Sequence, residues 1–389
     1  MGLRVVVVDD NPHVSWDGLV YPVNATFHRF LAAVLDVPGA PVASIVHCIP
    51  LSPASEPPAT LPLDPRLEVV ATAPFDGIGG YLRHAPGMLR RNAAILRPVI
   101  ASADLVWIKL PASNGPLAAW LASRAGVPRF GYVAGSALAV ARGRGLGLPA
   151  QAVGFAYDLA GRLAGGRQRV VVGRGIVGGG GIVTSLVDAS EIRDVEATAR
   201  PAIPLRLRLA WAGRLAPGKG LEVLVDALGI LVAEEAEGHR VELVILGDGP
   251  ARASLEARAT RLGVGDRIHW LGFIADRPTY LDALASCDLF VFPSPAEGFP
   301  KVVLDAMAVG LPVIASGAGS LAELRHGGVV GRVAVERPAE VAAAVRSLAA
   351  SPDDGDRLRH AGHAFAADHT RAAEAARLVA RFPRPGSRR

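Results

Sequence analysis

The 389-residue sequence predicts an α/β protein made of two successive parallel-sheet units with helices on both faces of each sheet. Short apolar runs, 4–9 and 207–212 among them, alternate with helix-length segments, as parallel strands buried on both faces require. The alternation starts twice, and Pro201 and Pro204 mark the join. The length also exceeds what one hydrophobic core grows to, so two domains of ~150–200 residues are expected. We place them at 1–200 and 205–362, with a last helix within 364–382 packing back on the first and a disordered tail over 383–389.

In the first unit, strand 4–9 leads through a loop to Asp17-Gly18 and into a helix over 22–35, followed by strand 43–48. The Pro- and Ser-rich segment 50–65 reads as an exposed loop before strand 69–71. Residues 78–100 form a helix in two pieces broken at Pro86-Gly87, then come strand 105–109, helix 116–125 and strand 129–133. Over 134–180 only a helix near 151–163 and a strand at 170–172 can be placed. The second unit runs strand 207–212, helix 220–236, strand 241–246, helix 250–262, strand 268–270, helix 278–285 and strand 289–292. A turn, a short helix from Pro300 ending at Gly310, and strand 312–315 follow.

Composition narrows the function. Half of the residues are apolar and the mean hydropathy is +0.32, yet no apolar run approaches the ~20 residues that span a bilayer. The opening MGLRVVVVDD lacks the pattern of a secretory signal. Cys48 and Cys287 match no metal or redox spacing and read as buried thiols in a reducing, cytoplasmic setting. A net charge of +5 suits anionic small ligands or an anionic membrane surface. No basic block interleaved with aromatics points to nucleic acid. Arg83, Arg90 and Arg97 recur every seven residues, a basic stripe able to meet an anionic membrane, although a plain solvated helix face is the favoured explanation because Pro86-Gly87 interrupts the stripe.

The chemistry concentrates at strand ends of the second unit. The turn carrying Glu297, Gly298, Phe299, Pro300 and Lys301 leads into a helix, whose unpaired amides and dipole favour an anion. Glu297 and Asp305 flank that site and fit sugar or ribose hydroxyls. Gly213 and Arg214 through Lys219 occupy a Gly/Pro-rich loop, where a guanidinium and an ammonium can share a diphosphate. Taken alone they are two solvated loop cations. A third junction, Gly247-Asp248-Gly249-Pro250, points the same way. The literal G-x-G-x-x-G at 173–178 follows a strand but opens no helix, so a Gly-rich loop is expected rather than a dinucleotide fingerprint. His13 lies in the first strand-to-helix loop beside Asp9 and Asp10, and no Ser-His-Asp or metal-ligand spacing occurs.

Gly213-Arg214-Leu215 with Lys219-Gly220, Leu246 to Pro250, Leu271-Gly272-Phe273, and Glu297 to Lys301 with Asp305 and Gly310 to Val313 resemble a known family. It is that of the retaining nucleotide-sugar glycosyltransferases called family 4, of the glycogen-synthase/mannosyltransferase superfamily. The resemblance implies the GT-B fold, two facing Rossmann-like domains. It also implies a UDP- or GDP-linked donor with no metal or cofactor, and a hydroxyl acceptor on a sugar, lipid-linked glycan or small molecule. Carried over by position, Arg214 and Lys219 hold the donor diphosphate and Glu297 contacts the transferred sugar. Gly18, Gly213, Gly249, Phe273, Gly298, Phe299, Pro300, Lys301 and Asp305 line the donor, while His13 and Lys109 lie on the acceptor side. Two departures concern the first unit: the family's Gly pair is Asp17-Gly18, and its His-x-His is Trp107-Ile108-Lys109. A nucleotide-sugar epimerase on the same fold, or a nucleotide-sugar-binding protein without transfer activity, stays open.

Overall fold

A computed structural model describes all residues except 1, 24–26, 40, 41, 59, 76, 144, 178, 179, 197–205, 237, 296, 297, 333–336 and 384–389, and except the side chain of Arg332. The expected Pro linker and nearly all of the expected tail fall outside the described residues.

The chain forms two compact units. The first comprises Met1–Val172, Gly181–Leu186 and Arg371–Arg389, and the second Gly173–Gly180 and Val187–Thr370. The switch of unit at Val187 precedes the expected boundary at 200, and the Gly-rich loop at 173–180 is part of the second unit.

In the first unit run β1 (Leu3–Val8), β2 (His13–Trp16), β3 (Leu19–Pro22), α1 (Phe27–Leu35), β4 (Val42–Pro53), β5 (Leu67–Thr72), α2 (Gly77–Arg83), α3 (Ala85–Ala101), β6 (Leu105–Leu110), α4 (Gly115–Ala125), β7 (Arg129–Val133), α5 (Ala137–Gly143), α6 (Leu148–Gly165) and β8 (Arg169–Val171). The strand order is β3-β2-β4-β1-β6-β7-β8, with β5 also on β4. All pairings are parallel except the β2–β3 hairpin. That hairpin corrects the expected loop and the early helix start. Its turn is Asp17-Gly18, with φ of 48° and 73°, the left-handed pair that a two-residue hairpin demands. Gly18, assigned to the donor by resemblance, is accounted for by this turn. The break between α2 and α3 falls at His84, not at Pro86-Gly87, because a proline is tolerated in the first turn of a helix.

The second unit contains β9 (Arg206–Ala212), α7 (Leu221–Ala233), β10 (Arg240–Leu246), α8 (Arg252–Arg261), β11 (Ile268–Gly272), α9 (Arg277–Ala285), β12 (Leu289–Phe292), α10 (Lys301–Ala308), β13 (Val313–Ala315), α11 (Leu321–His326), β14 (Gly331–Arg332), α12 (Pro338–Ala349) and α13 (Pro352–Asp368). Its sheet is all parallel in the order β11-β10-β9-β12-β13-β14. Helices α5, α11 and α12, and α13 before residue 364, were not expected from the sequence. The final helix α14 (Arg371–Val379) belongs to the first unit, so the expected 364–382 helix is two helices divided between the units.

Both cores follow from strands buried on two faces. In β1, Val6 and Val8 meet Leu96 and Ile100 of α3 and Ala118 and Ala122 of α4. On the opposite face Trp107 of β6 packs 5.5 Å from Phe27 of α1 and 5.8 Å from Phe382, just beyond α14. Trp107 stands in place of the first histidine of the family's pair and is fully buried, so aromatic packing occupies that position.

Candidate active site

In the second unit β9 and β12 are neighbours whose onward connections run to opposite sides of the sheet, which makes a crevice at their carboxyl ends. The motif loops converge there. Gly213 N donates to Leu246 O, Leu215 N to Asp248 O and Ala251 N to Leu215 O, each at 3.0 Å, which ties the β9 loop to the β10 loop. The approach is too close for side chains. A Cβ on Gly247 would lie 1.9 Å from Gly213 O, one on Gly249 2.3 Å from Leu215 O, and one on Gly220 2.1 Å from Pro293 O. Glycine is thus demanded by backbone packing, and Gly220 brings the β9 loop against the β12 loop.

Arg214 is exposed at this edge, and among the described residues nothing forms a hydrogen bond or ion pair with it. Lys219 is half-buried on the same loop. The turn after β12 is pinned on both flanks: Ser316 Oγ donates to Ser294 O at 2.5 Å, and Ser320 Oγ to Gly298 O at 2.6 Å. Between those pins lie Ala296 and Glu297, and Glu297 is outside the described residues. Gly298 is exposed, Phe299 and Lys301 half-buried and Pro300 buried. Pro300 is the N-cap and Lys301 the first helical residue, one position later than expected. The first-turn amides of α10 still end at the crevice with the positive end of its dipole. Phe273 stands just past β11, 62% exposed. Asp248 does not cap α8, whose N-cap is Ala251, but accepts from Gly249 N at 2.7 Å.

Among the described residues no helix opens from the Gly-rich loop, consistent with its rejection as a dinucleotide fingerprint. Instead Ile176 N donates to Glu323 Oε2 at 3.1 Å, and a Cβ on Gly173 would sit 2.6 Å from the Ser320 Cβ and 3.4 Å from Gly298 O. The loop therefore packs beside the Gly298 turn, a contact between segments over a hundred residues apart that no local pattern signals.

Asp305 corrects the expectation of a carboxylate open to ribose. It is 4% exposed. Its Oδ1 accepts from Arg277 Nη2 at 2.7 Å and its Oδ2 from Tyr280 OH at 3.2 Å. Arg277 also forms a forked pair with Glu191 at 3.0 Å on both arms. These two carboxylates overcome the burial of the guanidinium and raise its pKa further.

The first unit has a similar edge where β1 and β6 end. Lys109 Nζ donates to both Asp9 oxygens, at 3.0 and 3.1 Å, and lies 4.3 Å over the Phe27 ring. Burial would raise the Asp9 pKa, but Lys109 and His47 pull it well below the usual carboxylate range. His13 is 3% exposed, with Nδ1 2.8 Å from Asn11 O. Burial, and secondarily His47, lower its pKa to about 4. His13 and Lys109, expected on the acceptor side, are thus inner supports of this edge. Asp10 is the carboxylate nearer to solvent. Its Oδ2 accepts from Ser113 N and from Tyr157 OH at 3.4 Å, while its Oδ1 is buried with no hydrogen-bond partner among the described residues, and burial raises its pKa. Asp10 adjoined His13 in the sequence, but nothing local announced Ser113 and Tyr157 as its partners. Among the described residues no cluster of His, Cys, Asp and Glu is placed to hold a metal ion.

Residues 206–351 match the family model described as Glycosyl transferases group 1. The matched stretch is less than half of the chain and includes the loops after β9, β10 and β12 described above, so the crevice lies wholly within it. The chain is 36% identical over 152 residues to the GDP-mannose-dependent alpha-(1-6)-phosphatidylinositol dimannoside mannosyltransferase of Mycobacterium tuberculosis, covering 39% of this chain and 38% of that one. It is 38% identical over 118 residues to the D-inositol 3-phosphate glycosyltransferase of Jonesia denitrificans, covering 29% and 27%. The match thus spans less than two fifths of either relative. Across the whole length the fold is that of the two-domain GT-B glycosyltransferases. Anabaena HepE solved with UDP and glucose superposes with a TM-score of 0.65 at 18% identity, covering 97% of this chain and 98% of that one. Sucrose-phosphate synthase from Thermosynechococcus elongatus gives 0.68 at 15% identity, covering 97% of each chain.

Proposed function

We propose that the protein is a retaining glycosyltransferase that moves a sugar from a UDP- or GDP-linked donor to a hydroxyl acceptor. The observation that carries this reading is Arg214, an exposed cation with no partner among the described residues, on a loop that glycines lock against the loops after β10 and β12. Such a cation and the helix amides complement a diphosphate. Arg214 and Lys219 would bind the donor diphosphate and stabilise the charge that grows on it as the glycosidic bond breaks. Glu297 would hold hydroxyls of the transferred sugar. The leaving phosphate would accept the proton of the attacking hydroxyl on the same face of the sugar, which yields retention. The UDP in the HepE structure and the GDP-mannose named for the mycobacterial relative support the two donor classes.

The test is transfer from labelled UDP- and GDP-sugars by wild type, Arg214→Ala and Lys219→Ala. Each variant is expected to lose about 100-fold or more in kcat with an unchanged circular dichroism spectrum and melting temperature. Near-normal turnover by either would overturn the diphosphate assignment. Donor binding by wild type without transfer to any acceptor in a broad panel would instead identify a binding protein.

A further inference from the structure

Helix α6 has its amphipathicity reversed. The residues it buries are small, namely Gly154, Gly161, Ala164 and Gly165. Gly165 lies so near the sheet that a Cβ there would come within 2.8 Å of Leu110 Cδ1, while one on Gly131 of β7 would come within 2.7 Å of Gly165 Cα. Its large apolar side chains point the other way: Leu148 is 80% exposed, Phe155 57%, Leu159 46% and Leu163 70%. Spaced seven, four and four residues apart, these four form one stripe along the helix. Val140 and Leu146, on and just after the adjacent α5, are exposed too. A helix that turns its leucines outward spends apolar surface on water, and a patch of this kind marks a binding face.

The charge around the stripe identifies its partner. Residues 77–169 hold twelve Lys or Arg and only two acids, Asp104 and Asp158, an excess twice the net charge of the whole chain. Of these two acids, Asp104 accepts from Arg4 N, and Asp158 accepts from Ser136 Oγ, Ala137 N and Leu138 N at the start of α5. Helix α4 packs against both α3 and α6. It exposes Trp120, with the Arg124 guanidinium 5.2 Å over its ring, while Arg83, Arg90, Arg91 and Arg97 of α2 and α3 are exposed farther along. Apolar stripe, interfacial tryptophan and unopposed arginines together suit one environment.

We propose that α6 lies in the plane of an anionic phospholipid bilayer, with Leu148, Phe155, Leu159 and Leu163 in the acyl boundary and the arginines of α2, α3 and α4 on the headgroups. A side-on helix of this kind buries its apolar face ~5–10 Å deep, and each nearby cation adds ~1 kcal/mol of attraction. A second copy of the chain is the poorer occupant, because the same basic rim would face itself. Nucleic acid would satisfy the arginines but leave the leucines in water. The arginine stripe expected from the sequence supplies attraction; α6 supplies insertion. The inference does not rest on the transfer reaction.

Flotation with phosphatidylcholine vesicles, with and without phosphatidylglycerol, tests it in the absence of any nucleotide sugar. Wild type is expected to float with the anionic vesicles, less so in high salt, and to stay behind with the neutral ones. Phe155→Glu/Leu159→Glu alters exposed side chains only and is expected to keep its melting temperature while its partition coefficient falls about tenfold or more. Leu159→Cys carrying an environment-sensitive dye should shift to the blue on adding anionic vesicles. Three results would overturn the proposal: undiminished flotation of the double variant, no dye shift, or a wild-type dimer that the double variant converts to monomer.

Discussion

Asp305 occupies the position where the family resemblance places a carboxylate on the donor ribose, yet Arg277 and Tyr280 take its oxygens. The shorter side chain, kept close to its own helix, lies within reach of a half-buried guanidinium. Asp305→Ala would leave Arg277 paired with Glu191 alone and the Tyr280 hydroxyl without this acceptor, so it is expected to destabilise the protein by ~1–3 kcal/mol, as read from urea denaturation. A ribose-binding role would instead raise the KM for the donor while stability stayed unchanged. His13 and Lys109 carry the same lesson. Their place was expected on the acceptor side, but His13 is buried and Lys109 is paired with Asp9. Ionisable side chains show their type in a sequence and their environment only in the fold.

The loop after β9 belongs with the loops after β10 and β12 as one construction, because each glycine takes its place from a backbone in another loop. Gly247 (φ 139°) and Gly238 (φ 81°) both have positive φ, but only Gly247 faces a backbone oxygen, whereas a Cβ on Gly238 would have nothing within 4 Å. Gly238→Ala should therefore cost ~1–2 kcal/mol from backbone conformation alone. Gly247→Ala should cost more than ~3 kcal/mol or prevent folding. Equal melting temperatures for the two variants would refute the close packing of these loops. In this unit the strands and helices through β13 were legible, since runs of Leu, Val and Ile punctuated by Gly and Pro are local signals. The β2–β3 hairpin was not, because a four-residue strand carries too little pattern and its Asp-Gly turn resembled any loop.

At the scale of the whole chain, the C-terminal segment completes the first unit. Glu374 is fully buried and accepts from Val183 N at 2.8 Å, and Phe382 lies 5.2 Å from Phe130 and 5.8 Å from Trp107. Deleting residues 371–389 should uncover the aromatic face of the first unit. Hydrogen exchange in the truncated chain is expected to speed up in α1 and β6 and to stay unchanged in β9, β10 and β12. Uniform protection in both units would contradict the division. What the sequence determined by itself was the α/β class, the two units, and the three loop motifs within the stretch similar to glycosyl transferases group 1. Strand periodicity and the Gly- and Pro-rich loops are written in neighbouring residues. What only the tertiary structure decided was the environment of each side chain: Arg214 exposed and without a partner among the described residues, Asp305 and Lys109 taken up by partners, and α6 with its leucines turned outward. Burial and pairing depend on residues brought together from distant parts of the chain, and no window of sequence contains both partners.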